Sequence, residues 1–192
     1  MKIVLKFGGT SLASPKDIRN VAKTITSFSK GNQIVVVCSA VDGVTDDLIT
    51  ISRLIEQRRK NNIVANLNGV IIKHRKLANQ TIKNSVIKKQ LLEKLNTDVS
   101  ELQELVRGLT LLKEVSVRSL DYLISFGERL SDDLVSYALQ DLKKKSTALN
   151  GKEVGIVTDS NFGESRPLMD TTRIRISKTL GSLLSKKVIP VV

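Results

Sequence analysis

"KIVLKFGGTSLASPKDIRNVAKTITSFSKGNQIVVVC", residues Lys2 to Cys38, contains two apolar runs separated by a segment with helical periodicity. The first run, Lys2–Phe7, ends at Gly8-Gly9, and the second, Gln33–Cys38, is continuously apolar after its first residue, as in buried parallel strands. Between them, apolar residues recur at the spacing of one helix face: Ile18, Val21, Ala22, Ile25 and Phe28. A strand, a helix and a strand in so short a segment predict a βαβ unit with parallel strands and a right-handed crossover.

The segment between the two predicted strands also carries a helix start signal. Ser14 can cap a helix, Pro15 suits the first helical position, and Asp17 completes a pattern like a capping box. The first helix is therefore predicted to begin directly after Ser14.

The rest of the chain continues the alternation of helices and strands, which predicts an α/β protein. A second helix is marked by Val44, Leu48, Ile51 and Ile55, a long helical middle extends towards Leu112, and a later helix is marked by Leu130, Leu134, Ala138 and Leu142. The remaining predicted strands are Ser146–Leu149, Val154–Thr158, Thr171–Ile176 and Lys187–Val192.

The composition is that of one ordinary soluble domain. The chain has 192 residues, of which 41% are hydrophobic and 26% charged, and no linker or internal repeat divides it. No apolar run approaches the roughly 18 residues of a membrane span, and the start of the chain does not resemble a signal peptide, so the cytoplasm is the expected location. Cys38 is the only cysteine and is predicted to pack as a small hydrophobic residue.

The formal net charge of +12 raises the question of nucleic acid binding. Between Arg53 and Lys94, eleven Lys or Arg residues stand against two acidic residues. No Phe, Tyr or Trp occurs between residues 29 and 121, so this region lacks the aromatic groups on which single-stranded bases stack. The charge pattern therefore favours solvated helix faces over a nucleic-acid interface.

The turn after the first predicted strand has the composition of an anion site. Lys6 lies in that strand, and Gly8-Gly9 follow it ahead of the predicted helix. Two glycines let backbone N–H groups approach phosphate oxygens without a Cβ in the way, and a helix start adds a favourable dipole. The lysine of a Walker P-loop follows its glycines, so this would be a different phosphate-binding turn. Taken alone, the motif is more typical of a plain strand-to-helix turn.

Three further motifs follow this one along the chain. The four are "KFGGTS" (Lys6–Ser11), "SAVDGVTDDLI" (Ser39–Ile49), "SFGERLS" (Ser125–Ser131) and "GIVTDSNFG" (Gly155–Gly163). Together they resemble the aspartokinases of the amino-acid kinase superfamily, and the resemblance covers the whole chain. It implies a three-layer α/β fold, with a mostly parallel central sheet and helices on both faces.

The resemblance implies transfer of the ATP γ-phosphoryl group to the β-carboxylate of L-aspartate, for lysine, threonine and methionine synthesis. A carboxylate nucleophile is ionised at neutral pH and needs no general base, so catalysis reduces to positioning and charge neutralisation. Mg²⁺ is expected with ATP, held by phosphates and water, and no protein ligand is assigned to it. By resemblance, Lys6 stabilises the transferring phosphoryl group, and four residues after it assist at the phosphates: Gly8, Gly9, Thr10 and Ser11.

Two more positions match substrate-binding residues of the family. Thr45 matches a position that contacts the substrate, and a helix-capping hydroxyl is the alternative. Glu128 matches the glutamate expected to hold the substrate ammonium group, and pairing with the neighbouring Arg129 is the alternative.

Three other polar residues have plainer interpretations. His74, the only histidine, has helical spacing from apolar residues and is predicted at the edge of the core. Asp132 and Asp133 are neighbours on a predicted helix, where side chains point about 100° apart. They are predicted to be solvated rather than to form a metal site.

The final residues, "KKVIPVV" (Lys186–Val192), predict a core strand with nothing after it. In the family this strand is followed by a nucleotide-binding half and usually by regulatory ACT domains, so residues 1–192 are interpreted as the amino-terminal, substrate-binding part of a truncated kinase domain. The chain alone is expected to be inactive, and the complete protein to be a homo-oligomer. A basic nucleic-acid-binding module and a non-catalytic remnant associated with a complete kinase stay open as alternatives.

Overall fold

The computed structural model describes all 192 residues of the chain. Four parallel strands form a sheet in the order β1-β2-β4-β3. The strands are β1 Lys2–Phe7, β2 Gln33–Cys38, β3 Ser146–Ala148 and β4 Ile189–Val191. The register pairs Phe7 with Cys38, so the carboxyl ends of β1 and β2 lie side by side.

Seven helices accompany the sheet. They are α1 Pro15–Phe28, α2 Val44–Glu56, α3 Lys60–Thr81, α4 Ser85–Leu112, α5 Val117–Asp141, α6 Gly151–Val154 and α7 Met169–Ser185, and a 3₁₀ turn over Gly9–Leu12 precedes α1. The predicted start of α1 is confirmed, because the Ser14 side chain accepts a hydrogen bond from the Asp17 N–H and Pro15 is the first helical residue. None of the helices combines the length and the apolar character needed to cross a bilayer.

The sheet lies between two helical layers. The path from β1 through α1 to β2 and the path from β3 through α7 to β4 run in opposite directions across the sheet. Because crossovers between parallel strands are right-handed, opposite directions place α1 and α7 on opposite faces. On the α1 face, α5 packs against the sheet and against α2, α3 and α4. The predicted three-layer α/β fold is confirmed.

The core lies between the sheet and the layer that contains α1 and α5. The first two strands contribute Ile3, Leu5, Phe7, Ile34, Val36 and Cys38 to it. Cys38 is buried as predicted, and burial raises the pKa of its thiol. The other face of β1 carries Lys2, Val4 and Lys6, and Val4 is 67% exposed. This face of β1 is open.

Two predicted strands are wrong. Val154–Thr158 contains the end of α6 and the loop after it, and Thr171–Ile176 lies within α7. Gly155, in a left-handed conformation with φ 105°, ends α6 after a single turn. The alternating apolar residues of the second segment imitate a strand, although Ile174 is 71% exposed in the helix. A helix is needed here because β3 and β4 are parallel and require a crossover.

The predicted helical middle consists of two helices. α3 ends at Thr81 and α4 begins at Ser85, and neither Gly nor Pro marks the break. The Asp141 carboxylate of α5 accepts hydrogen bonds from the N–H groups of Lys83, at 3.0 Å, and Asn84, at 2.9 Å. This acceptor lies 57 residues beyond Asn84, but the break also has a local signal, because the Asn84 side chain caps α4 by accepting hydrogen bonds from the Val86 and Ile87 N–H groups.

The basic helices differ from expectation at one position. Most of the Lys and Arg residues between Arg53 and Lys94 are exposed, as predicted for solvated helix faces. His74 is 1% exposed and lies within the core rather than at its edge. Its Nδ1 is 2.8 Å from the Val70 carbonyl oxygen, and burial lowers the pKa of the ring to about 4. The imidazole is therefore neutral at physiological pH and has a structural role.

Candidate active site at the carboxyl edge of the sheet

Two loops meet where β1 and β2 end. The first follows β1 into the 3₁₀ turn, and the second covers residues 39–43, between β2 and α2. They touch at Gly9, where an added Cβ would lie 2.8 Å from the Ala40 carbonyl oxygen and 3.3 Å from the Asp42 nitrogen. Only glycine fits at this position without displacing the backbone of the second loop.

Gly9→Ala should therefore destabilise the fold by about 1–3 kcal/mol, the usual cost of overpacking a filled site. Gly8→Ala is the matched control, because a Cβ at Gly8 meets no atom within 4 Å and its φ of −80° and ψ of 170° suit any residue. Urea denaturation of both variants measures the difference. Wild-type stability of Gly9→Ala would contradict the contact between the loops.

The turn after β1 presents backbone donors that its own hydrogen bonds do not use. The first of these bonds runs from the Ser11 N–H to the Gly8 carbonyl oxygen, at 3.0 Å. The N–H groups of Gly8, Gly9 and Thr10 precede it. Lys6 is exposed on the open face of β1 and forms no ion pair. A lysine followed by available N–H groups is an arrangement suited to an anion.

The middle of α5 packs closely against the second loop. A Cβ at Gly127 would lie 2.8 Å from the Ala40 Cβ and 3.6 Å from a methyl group of Val44. One turn further along α5, Ser131 donates its hydroxyl to the Ser39 carbonyl oxygen, at 2.7 Å. These contacts bring the "SFGERLS" motif to the same edge as the first two motifs.

Glu128, in the middle of that motif, is half-buried and forms no ion pair. The next residue, Arg129, turns to α4 and donates from Nη2 to Asp98, at 2.9 Å, and to Glu101, at 2.6 Å. Its guanidinium group also lies over the Phe126 ring, 4.3 Å from the centroid. The alternative that Glu128 pairs with Arg129 is therefore wrong, and the Glu128 carboxylate is available to a cationic group.

Thr45 lies in the first turn of α2 and is half-buried. The residue that caps α2 is Gly43, with φ 77°, and no side chain donates or accepts a capping hydrogen bond. The capping alternative for Thr45 is therefore wrong. Lys73 of α3 supports this loop, since its Nζ donates to the Asp42 carbonyl oxygen at 3.1 Å and lies 3.5 Å from the Asp47 carboxylate.

Asp132 and Asp133 are 3% and 2% exposed, so the prediction that they are solvated is wrong. Asp132 lies beside Cys38 of β2, whereas Asp133 lies beside Asp98 and Lys94 of α4, so each carboxyl group contacts another part of the protein. Burial, together with the charges of Asp133 and Glu128, raises the pKa of Asp132 to about 8. Burial and the neighbouring Asp98 raise the pKa of Asp133 to about 7. The chain has no group of three or more His, Cys, Asp or Glu residues that could hold a metal ion.

The raised pKa of Asp132 predicts a pH-dependent stability. The folded state keeps this carboxyl protonated up to about pH 8, while the unfolded chain releases the proton near pH 4, so the free energy of unfolding falls as pH rises between these values. Asp132→Asn should flatten this dependence and stabilise the protein at pH 8 by an amount on the order of 2 kcal/mol. Denaturation at pH 5 and pH 8 tests this, with the exposed Asp46→Asn as control, and unchanged slopes would contradict it.

The structure unites three of the four motifs. Ala40 contacts both Gly9 and Gly127, so Lys6, Thr45 and Glu128 lie on segments that meet at one point. The fourth motif adjoins the third, because its loop docks on the beginning of α5, where the Gly163 N–H donates to Asp121 at 2.8 Å, and its Thr158 and Phe162 line the same cavity as Ser125.

Several residues that hold this edge together were not predicted. Ser131 and Arg129 stand inside a recognised motif, but their partners Ser39 and Asp98 are 92 and 31 residues away in the chain. Lys73 lies in no motif at all. The acidic first turn of α2 could have indicated a basic partner on another helix. Choosing Lys73 as that partner requires knowing how α2 and α3 pack.

The arrangement is that of an α/β domain whose parallel sheet ends in a turn suited to an anion. The amino acid kinase family matches residues 1–192, and the chain belongs to that family.

The similar proteins within this family are aspartokinases, as the resemblance of the four motifs predicted. The chain is 30% identical to aspartokinase 3, chloroplastic, of Arabidopsis thaliana over 192 residues, which are 98% of this chain and 33% of that protein. It is 27% identical to an aspartokinase of Corynebacterium glutamicum, covering 93% of this chain and 29% of that protein. The chain thus spans about a third of the length of these relatives.

Solved structures support the fold. Aspartokinase III of E. coli, in complex with aspartate and ADP, superposes with a TM-score of 0.86 at 20% identity, over 100% of this chain and 40% of that chain. Aspartate kinase from Synechocystis superposes with a TM-score of 0.53 at 25% identity, over 98% of this chain and 21% of that chain.

Proposed function

We propose that this chain is the substrate-binding part of an aspartate kinase. In the proposed reaction, an oxygen of the L-aspartate β-carboxylate attacks the γ-phosphorus of ATP, the bond to the β-phosphate oxygen breaks, and ADP and 4-phospho-L-aspartate form. The observation that carries the proposal is that three motif segments meet at Ala40. Lys6 and Glu128, which lie on two of these segments, have no ion-pair partner within the chain. The resemblance to aspartokinases supplies the identity of the substrates.

The residues of the first turn have the electrostatic role in this reaction. Lys6 neutralises charge that develops on the transferring phosphoryl group, and the N–H groups of Gly8, Gly9 and Thr10 bind phosphate oxygens. Thr10 is exposed and Ser11 is half-buried in the same turn, where their hydroxyl groups assist. No general base is needed because the attacking carboxylate is already ionised.

Glu128 and Thr45 orient the amino acid. The Glu128 carboxylate binds the aspartate ammonium group by a charge-assisted hydrogen bond, and the Thr45 hydroxyl contacts the substrate from the start of α2. Mg²⁺, when bound with ATP, would neutralise phosphate charge while held by phosphates and water. The product would serve lysine, threonine and methionine synthesis in the cytoplasm, with the complete protein acting as a homo-oligomer.

The proposal is tested by trapping the product with hydroxylamine in the complete, active protein. L-Aspartate with ATP should give an acyl hydroxamate, whereas L-glutamate and N-acetyl-L-glutamate should give at most a few per cent of that rate. Both acids keep a side-chain carboxylate. L-Glutamate places it farther from the amino group, and N-acetyl-L-glutamate also removes the positive charge of the amino group, so the two acids separate aspartate kinases from other members of the family. A preference for either acid would contradict the proposal.

Glu128→Gln in the complete protein should raise the KM for aspartate by about tenfold or more and change the KM for ATP by less than about twofold. A neutral amide loses the charge-assisted bond to the ammonium group and does not contact the nucleotide. The matched control is Glu104→Gln, an exposed glutamate on α4. Equal losses for the two substrates would indicate that Glu128 supports the fold instead.

A further inference from the structure

A second concave site lies at the opposite edge of the sheet, where β2, β3 and β4 begin. Its volume is about 460 Å³, within the range of small-molecule sites. Three lysines line it, Lys144 and Lys145 before β3 and Lys187 before β4. We call this site the lysine cleft.

The charge of the lysine cleft is entirely positive. No Asp or Glu lines it, and none of its three lysines forms an ion pair with another part of the chain. Three exposed lysines adjoin the lining residues in sequence: Lys30, Lys143 and Lys186. By contrast, the cavity of about 200 Å³ beside Asp132 and Asp133 has lysine, arginine and carboxylate side chains in its wall.

Lysines also occur at helix ends for structural reasons, and α1, α5 and α7 all end at this edge. The carbonyl end of a helix carries about half a negative charge, so three ends amount to roughly one and a half charges. The six lysines, Lys30, Lys143–Lys145, Lys186 and Lys187, carry far more positive charge than those ends require. The positive charge that the helix ends do not neutralise is therefore available to a ligand.

The floor and the rim of the cleft indicate what kind of ligand fits. Ile34, Leu184 and Ile189 are buried at its base. Gln33 crosses the cleft and donates from Nε2 to the Leu184 carbonyl oxygen, at 3.4 Å, and Asn32 adds a second amide. Lysine ammonium groups above an apolar floor match a compact anion rather than the long, evenly charged surface of a nucleic acid.

We propose that the lysine cleft is a binding site for a small anion with at least two negative charges, such as a phosphorylated or polycarboxylate metabolite. Lys144, Lys145 and Lys187 bind its charged groups, and the apolar floor packs against its body. The site is at the amino edge of the sheet, so it is independent of the proposed kinase site at the carboxyl edge.

Calorimetric titration at constant ionic strength tests this, with pyrophosphate as the phosphate probe and citrate as the carboxylate probe. Lys145→Gln/Lys187→Gln should weaken binding by at least about tenfold, because two charge-assisted contacts are lost. Lys60→Gln/Lys76→Gln removes the same charge from exposed positions on α3 and should bind as the wild type does. Lys6→Ala should lose only pyrophosphate binding at the proposed kinase site, so the part of the binding that Lys145→Gln/Lys187→Gln removes should persist in it.

A second measurement needs no variant. Pyrophosphate or citrate should slow chemical acetylation of Lys144, Lys145 and Lys187 in the wild-type protein, while Lys60 and Lys76 react at an unchanged rate. Binding of only one probe would support the site and define its chemistry. Equal binding by cleft and control variants, or equal protection of all five lysines, would overturn the proposal, as would a cleft-dependent preference for duplex DNA over both small anions.

Discussion

Lys6→Ala in the complete protein should lower kcat by about 100-fold or more and change the KM for aspartate by less than about threefold. The Lys6 ammonium group is at the open face of β1, two residues before the Gly8-Gly9 turn, and no carboxylate of the chain neutralises it. In the proposed reaction its charge matters most when the phosphoryl group is between donor and acceptor, and removing such a group typically costs about 10²–10³ in rate. Steady-state kinetics with each substrate varied in turn separates kcat from KM.

Lys2→Ala is the control for that experiment. Lys2 lies on the same face of the same strand as Lys6 and is also exposed, but it is at the opposite end of β1. The two variants therefore lose the same charge from one strand, and only Lys6→Ala should lose turnover. If Lys6→Ala turned over within about threefold of the wild type, the charge role would be excluded.

The second large effect concerns the 192-residue chain produced by itself, which should fold but form no aspartyl phosphate. The five main cavities of the chain are lined by residues other than Lys6, Gly8 and Gly9. The turn after β1 alone cannot align the γ-phosphoryl group with the attacking carboxylate, because alignment requires groups on both sides of the reacting atoms.

Hydroxylamine trapping measures this directly, and circular dichroism confirms that the chain is folded. A full-length aspartokinase, such as the relative from Corynebacterium glutamicum, is the positive control. Hydroxamate formation by the isolated chain at a rate near that of the control would mean that these residues form a complete active site, and the proposal that the chain is only the substrate-binding part would be wrong.

Sequence patterns predicted the parts of the fold that depend on local chemistry. The bounds of β1 and β2 were predicted residue for residue, and Ser14 and Pro15 marked the start of α1. Prediction failed where distant residues decide the structure. The alternating apolar residues of Thr171–Ile176 suggested a strand, but the need to connect two parallel strands makes that segment helical.

In the candidate site, too, local motifs predicted some features and distant contacts decide others. Lys6, Thr45 and Glu128 were found from motifs, and their roles as ligands are predictions. What the structure adds is the reason that they lie together, which is the contact of Gly9 and Gly127 with Ala40. It also removes the two structural alternatives, because Gly43 caps α2 and Arg129 pairs with α4. The second fact depends on long-range packing, since Asp98 and Glu101 lie 31 and 28 residues from Arg129 in the chain.

The close packing around Ala40 also allows different substitutions at Gly9 and at Gly127. At Gly127 the obstacle is the Ala40 side chain, so alanine there becomes acceptable if position 40 changes to glycine in exchange. At Gly9 the obstacle is the carbonyl oxygen of residue 40, which every amino acid carries, so no exchange at that position relieves it. Position 127 can therefore drift together with position 40 over evolutionary time, whereas position 9 is fixed by the path of the main chain.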